Sequence, residues 1–305
     1  MIYSDAHCDT ITAAFDNGES LFKNSLAVDF ERMRTIDSGV QFFAVWTAPA
    51  HSGNALNRCL DVINKFHNEC ELHNIEIITK SSQISKISSP CALLSIEDAV
   101  VFEGKISNIH KLYNLGVRCV GLTWNGSNEV GNGVLSENTG GLTQFGRAAV
   151  SEMNNLGMAI DVSHLNEAGF YDVSTLCKEG FIASHSNCRA VTEHCRNLTD
   201  GQIKAVFRAN GFIGVNFWGR LLSENEAEIN DITKHIEYLI SLGGENNIGI
   251  GADFDGTDYL PKGVGDISDI CELWRNLSTA GYSGELLEKI SHENLHNYLK
   301  RILKY

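Results

Sequence analysis

Six ionisable residues stand where short apolar runs end. His7 and Asp9 follow Ile2–Ser4, Glu97 follows Cys91–Ile96, and His164 follows Met158–Val162. His185 follows Phe181–Ala183, and Asp253 follows Ile248–Ala252, with Asp255 two residues further on. Imidazole and carboxylate together make a borderline N/O donor set, which suits zinc best, with manganese or iron as alternatives. In His7-x-Asp9 the two side chains of a strand spaced i, i+2 point the same way and can grip one ion. Three imidazoles and at least two carboxylates are rich for one ion and sufficient for two. A shared carboxylate can hold two ions about 3.5–4 Å apart, the spacing of hydrolytic two-metal sites. Taken singly, each residue has a plainer reading: a hydrogen-bonded structural histidine, a helix cap, a salt-bridge partner. The conjunction shifts the balance, because so many polar groups gathered at one end of buried strands are costly without a counter-ion.

The elements that must position these groups alternate along the chain. Short, β-branched, Gly- or Asn-introduced runs predict strands over Ile2–Ser4, Val40–Trp46, Cys91–Ile96, Val117–Leu122, Met158–Val162, Phe181–Ala183, Phe212–Asn216 and Ile248–Ala252. Between them Asn54–His73, Leu142–Leu156, Glu167–Cys177, Gln202–Ala209 and Ile232–Leu242 carry apolar residues at helical spacing. Strands alternating with helices imply βαβ units and a parallel sheet. Eight such units without a linker predict an α/β fold, a closed (β/α)8 TIM-type barrel formed as one domain over residues 1–305. A doubly wound open sheet is the competing architecture, but its first strand usually runs into a Gly-rich phosphate turn, whereas here it runs into His7-Cys8-Asp9. In barrels the C-terminal ends of the strands form the active-site face, so all six groups converge on one mouth. The Gly-, Asn- and Ser-rich loop Asn125–Gly140 follows the fourth strand and is expected to form a wall or lid over that face, a floppy surface loop being the alternative. His67, His73, His110, His235, His292 and His296 lie in helical patterns and read as packing or surface residues; His51 and His194 lie in loops.

Composition bounds the remaining possibilities. The chain has 305 residues, is 43% hydrophobic and carries a formal net charge of -14. It is long and apolar enough for a barrel, and its acidity disfavours a nucleic-acid partner. No apolar run is long enough to span a bilayer, and no signal-peptide pattern opens the sequence. The nine cysteines are scattered, with no CxxC pair, and Cys91 and Cys119 sit in apolar runs. A reducing, cytoplasmic setting with no membrane association is therefore expected.

At its chemical motifs the sequence resembles the membrane dipeptidase (renal dipeptidase) family of binuclear zinc peptidases. The matching stretches are Asp5-Ala6-His7-Cys8-Asp9, Ser95-Ile96-Glu97-Asp98, Asp161-Val162-Ser163-His164, Ser184-His185-Ser186, Arg196-Asn197-Leu198-Thr199-Asp200 and Gly249-Ile250-Gly251-Ala252-Asp253-Phe254-Asp255-Gly256. They fall in the family's order across nearly the whole chain. The resemblance implies two zinc ions, one held by His7, Asp9 and Glu97 and the other by Glu97, His164 and His185, with Glu97 and a hydroxide bridging them. It implies dipeptide substrates, an arginine (Arg196) contacting the substrate carboxylate, an acid (Asp253) near the scissile nitrogen, and a homodimer. One departure stands out. Where the family often has a histidine after Leu-Thr, Leu122-Thr123 is followed here by Trp124 and Asn125, expected to contact substrate; indole can donate a hydrogen bond but cannot shuttle a proton. That leaves Asp253 as the expected proton shuttle, with Asp255 as its competitor. Two rivals remain: an amidohydrolase acting on another small amide such as an N-acyl amino acid, which would usually bridge its metals with a lysine absent from these strand ends, and a catalytically inactive barrel kept as a scaffold.

Overall fold

The computed structural model describes residues 1–88, 90–177 and 179–304. Eight parallel strands close into a barrel: β1 Tyr3–Asp5, β2 Ser38–Trp46, β3 Cys91–Glu97, β4 Val117–Gly121, β5 Ala159–Asp161, β6 Ile182–Ala183, β7 Phe212–Val215 and β8 Ile248–Ile250. Closure needs two pairings, of the first strand with the last and of β2 with β3. β1 pairs with β8 through Asp5↔Ile250, and β2 pairs with β3 over seven residues, from Val40↔Cys91 to Trp46↔Glu97. Each expected strand is present, and most are shorter than their apolar runs because pairing stops just before the polar residues at the mouth. One feature lay outside the expectation: a two-residue strand, Glu76–Ile77, pairs with the first residues of β3. Two residues are too few to show any periodicity.

Every residue of β3 is buried, as a parallel strand covered on both faces requires. Alternation along β2 divides the core. Phe43 and Val45 belong to the large apolar cluster that includes the surrounding helices, among them Ala55–Leu72. Val40 and Phe42 join Ala6, Leu93, Cys119, Ala159, Ile182 and Phe212 in a second cluster inside the barrel. The final helix, Asn294–Ile302, closes that inner cluster with Leu295, Tyr298 and Leu299. Among the described residues no helix is long and apolar enough to cross a membrane.

His296 lies on this plugging helix. Its Nε2 is 2.9 Å from Ser4 Oγ, and burial, with His292 and Lys300 nearby, pushes its pKa down to about 3. An unfolded histidine takes a proton near pH 6.5. Between these values the unfolded state binds a proton that the folded state refuses, so this group's contribution is complete above pH 6.5 and is lost as the pH falls. From pH 7 to pH 5 the wild type should lose about 1–2 kcal/mol of stability that His296→Gln does not lose. Urea unfolding of both proteins at the two pH values measures it, and equal losses would contradict this reading of His296.

Candidate metal centre and active site

Backbone hydrogen bonds set the mouth of the barrel before any ligand does. Asp5 Oδ1 accepts from His7 N at 3.1 Å and Ala252 N at 3.0 Å, tying the end of β1 to the end of β8. Asp9 N donates to Phe254 O, and Cys8 N to Phe42 O. His7 and Asp9 are thus held between their neighbouring strands although β1 itself ends at Asp5. Asp98, Asp253 and Asp255 take left-handed backbone conformations, with φ of 80°, 64° and 66°. Such conformations in non-glycine residues cluster at functional sites because the surroundings must enforce them.

The expected ligands converge and are all buried. Glu97 stands at the centre: its Oε1 is 2.8 Å from His164 Nε2 and 3.7 Å from His185 Nε2, while its Oε2 is 3.7 Å from His7 Nε2. One carboxylate therefore presents its two oxygens to two different groups. His7 Nε2 is also 3.4 Å from Asp9 Oδ2 and 3.8 Å from Asp253 Oδ1. Three donor triads emerge: His7–Asp9–Glu97, Glu97–His164–His185 and His7–His185–Asp253.

The donor chemistry fits divalent metal. His164 Nδ1 is 2.9 Å from Asn125 Oδ1, an acceptor, so the ring's proton sits on Nδ1 and its Nε2 carries a lone pair. That Nε2 lies 2.9 Å from His185 Nε2, whose Nδ1 is in turn 2.8 Å from Ser184 Oγ. Nitrogens facing each other at this distance suit a cation between them, and Arg196 Nη2 already stands 3.0 Å from His164 Nε2. His7 Nε2 and Asp9 Oδ1 are buried without hydrogen-bond partners, although buried polar atoms are nearly always paired. Protonation tells the same story. Burial would raise the Glu97 carboxyl, but His164 and His7 hold it well below the usual range. Burial and the Arg196 charge take His164 down to about 4, and burial with the His7 charge takes His185 well below its ordinary value. An anionic carboxylate and neutral imidazoles are the forms that bind metal. Burial, reinforced by Glu97, pushes Asp9 well up and Asp253 up to about 6. Burial opposes charge on His7 as well, yet Asp9 and Glu97 hold its pKa well above normal: the carboxylates demand a positive charge at this point.

A cavity of about 640 Å³ opens over this cluster, lined by Asp9, Glu97, His164 and Asp253 together with Trp124, Asn125 and Arg196. The loop over Asn125–Gly140 forms part of its wall and is pinned rather than floppy. Asn128 Nδ2 donates to Asp98 Oδ1 at 2.6 Å, and Val134 N to His164 O at 2.9 Å. Trp124 stacks edge-on to Trp46 at 5.3 Å and lies 6.3 Å from the His164 ring. Asn125 lines the cavity and also orients His164. Arg196 is not an exposed loop arginine. It is buried, donates to Ser163 O, and has Nη2 3.0 Å from His164 Nε2. Its loop is fixed by Asn197 Nδ2, which donates to Thr192 O and Leu221 O, and by the Thr199–Gln202 capping box that starts the helix Asp200–Arg208. Asp255 is separated from the cluster by its bonds: it accepts from Thr10 Oγ1 at 2.5 Å and Ala27 N at 2.8 Å, the role of a loop cap.

Sequence reasoning passed over several residues of the site. Trp46 and Asn216 end two of the expected strands, yet their types alone suggested no chemistry. Trp46 supplies a cavity wall, and Asn216 Nδ2 donates to Asp253 Oδ2 at 2.9 Å. His194 lines the cavity beside Trp218, with ring centres 5.8 Å apart.

The chain is similar to known proteins along nearly its whole length. The family model for membrane dipeptidase (peptidase family M19) matches residues 1–304. A protein of Klebsiella pneumoniae described as an uncharacterized protein in the pqqA 5' region is 36% identical over 218 residues, covering 68% of this chain and 80% of its own length. Dipeptidase aclJ of Aspergillus oryzae is 28% identical over 287 residues, covering 88% and 68% respectively. The solved structure of a metallo peptidase from Rhodobacter sphaeroides, liganded with a phosphinate mimic of the dipeptide L-Ala-D-Ala, superposes with a TM-score of 0.92 at 25% identity over 99% of both chains.

Gly256 stands directly against two of the acids. A Cβ there would lie 2.2 Å from Asp9 Oδ2 and 2.4 Å from Asp253 Oδ1. Gly256→Ala should therefore displace both carboxylates and lower metal affinity at least tenfold, while the melting temperature of the metal-free protein stays near wild type. Chelator competition and thermal unfolding measure the two quantities, and unchanged affinity would refute the contact.

Proposed function

The chain belongs to the membrane dipeptidase family, peptidase family M19, and on that premise we propose that it is a metal-dependent dipeptidase that holds two zinc ions in the buried cluster at the barrel mouth. The observation that carries the reading is Glu97, whose two carboxylate oxygens face His164 and His185 on one side and His7 on the other. His7, Asp9 and Glu97 would hold one ion, and Glu97, His164 and His185 the other, with Glu97 as the shared ligand. Two such ions supply Lewis acidity, activating water and polarising the scissile carbonyl.

The chain's own residues then divide the remaining work. Arg196 lines the cavity beside His164, where a guanidinium fork suits the terminal carboxylate of a dipeptide. Trp124 and Trp46 give the cavity an apolar wall next to it, which limits the size and polarity of the side chain accepted there. Asp253 takes the proton from the attacking water and returns it to the departing amine. Its pKa of about 6 lies close to neutrality, where a carboxyl serves both steps, and Asn216 fixes the oxygen not directed at His7. The substrate's size follows from the cavity, since about 640 Å³ accommodates a small molecule and not a folded chain. A cytoplasmic location and a homodimer complete the proposal.

Four variants test it. Glu97→Gln should lose both ions together by elemental analysis, whereas His7→Ala should chiefly empty one position. Asp253→Asn should retain metal and melting temperature while turnover falls by about 10²–10⁴-fold; wild-type turnover in this variant would remove Asp253 from the mechanism. Arg196→Ala should erase the preference for a dipeptide over its C-terminal amide. A panel of L,L- and L,D-dipeptides with N-acyl amino acids, run on metal-reconstituted wild type, tests the substrate class itself.

A further inference from the structure

The two metal positions have different ligands in front and a common support behind. Ser184 Oγ lies 2.8 Å from His185 Nδ1 and 3.4 Å from His7 Nδ1, so one hydroxyl touches one imidazole of each position. The same oxygen lies 2.5 Å from Asp161 Oδ2. Asp161 is in turn held by Ser163 N at 3.0 Å, Ser163 Oγ at 2.6 Å and Ser184 N at 3.0 Å, all on its Oδ1. Ser163 Oγ also accepts from His185 N at 3.1 Å.

Proton inventory then fixes the direction of every bond. A hydroxyl has one proton and two lone pairs, and a carboxylate only accepts. The Ser184 proton must therefore go to Asp161 Oδ2. Both lone pairs of Ser184 Oγ are left to accept, and the two groups placed to donate are His185 Nδ1–H and His7 Nδ1–H. With their protons committed on Nδ1, both rings have Nε2 left to face an ion beside Glu97. The Ser184 backbone is closely packed. A Cβ on Gly251 would lie 1.7 Å from Ser184 O, so the end of β8 presses against the Ser184 backbone.

We propose that the Asp161–Ser184 pair is a positioning unit common to both metal positions, in which a single serine hydroxyl fixes the tautomer and orientation of His7 and His185 together and so couples the affinities of the two ions. His164 is excluded from the unit, since its Nδ1 is served by Asn125. The inference rests on the two-metal reading given above. Outer hydrogen bonds to metal-bound histidines are worth about 10–100-fold in affinity, and here one acceptor oxygen supports two ligands.

Zinc affinity, measured by chelator competition on the full chain, gives the test without reference to hydrolysis. Ser184→Ala should weaken both positions by about 10–100-fold, and Asp161→Asn should do likewise, because an amide nitrogen can turn the serine proton toward the rings. Asn125→Ala should weaken one position only. Ser184→Cys keeps the volume with a poor acceptor and should resemble Ser184→Ala; if it restores wild-type affinity, packing rather than the hydroxyl is responsible and the proposal fails. Long-range 1H–15N spectra of zinc-loaded wild type should place the protons of both His7 and His185 on Nδ1. Loss confined to one position in Ser184→Ala, or no loss at all, overturns the coupling while leaving the two-metal site intact. A wild type that binds no zinc overturns both.

Discussion

Three carboxylates brought together in a buried mouth repel one another and must find positive charge. Asp9, Glu97 and Asp253 all lie within reach of His7 Nε2, and water is largely excluded from them. Isolated buried carboxylates normally escape by taking up protons, and Asp9 and Asp253 are indeed pushed in that direction. Glu97 is not, because imidazoles crowd it from both sides. The site is thus balanced between protons and metal: acid favours the former, neutral pH the latter. Much of the barrel's construction follows from holding this balance, from the bond between Asp5 and the turn after β8 to the left-handed aspartates that end the strands.

The fold was legible because parallel strands buried on both faces write themselves as short apolar runs. Val40–Trp46 and Cys91–Ile96 are such runs, and they form the longest paired register in the barrel. The residues proposed to hold metal could be picked out because they break those runs at the same end each time. What stayed hidden depends on convergence between strands. Ser184 and Asp161 sat in plain view near His185 and Ser163, but no spacing rule joins the ends of β5 and β6 to His7. Trp46 read as the last apolar residue of a strand, and only the closure of β2 against β3 brings it to the cavity across from Trp124. Asp255 illustrates the opposite case. Its spacing from Asp253 suggested a second acid, and the turn at the strand end redirects it to Thr10 and Ala27.

Arg196 shows how a loop residue becomes part of a rigid site. Its neighbours in the stretch Arg196-Asn197-Leu198-Thr199-Asp200 perform no chemistry. Asn197 staples two carbonyls and Thr199 caps a helix. Their effect is to hold a guanidinium beside His164, buried and already hydrogen-bonded. A side chain fixed in this way loses little freedom on meeting a carboxylate, the general advantage of preorganisation.

The contact between Asp5 and Ala252 spans 247 positions of the chain, and that separation governs how the protein can be made. A ribosome adding about 5–20 residues per second needs roughly 10–50 s to cover such a distance. Throughout that interval β1 lacks one of its two partners, and His7 and Asp9 wait without Asp253. The helix that fills the inside of the barrel is synthesised later still, as the 292 positions between Ser4 and His296 record. Long-range pairing of this kind folds slowly and leaves strand edges open to wrong partners in the meantime. Closure of the barrel mouth, and with it the placing of Asp253 beside His7, therefore comes only near the end of synthesis.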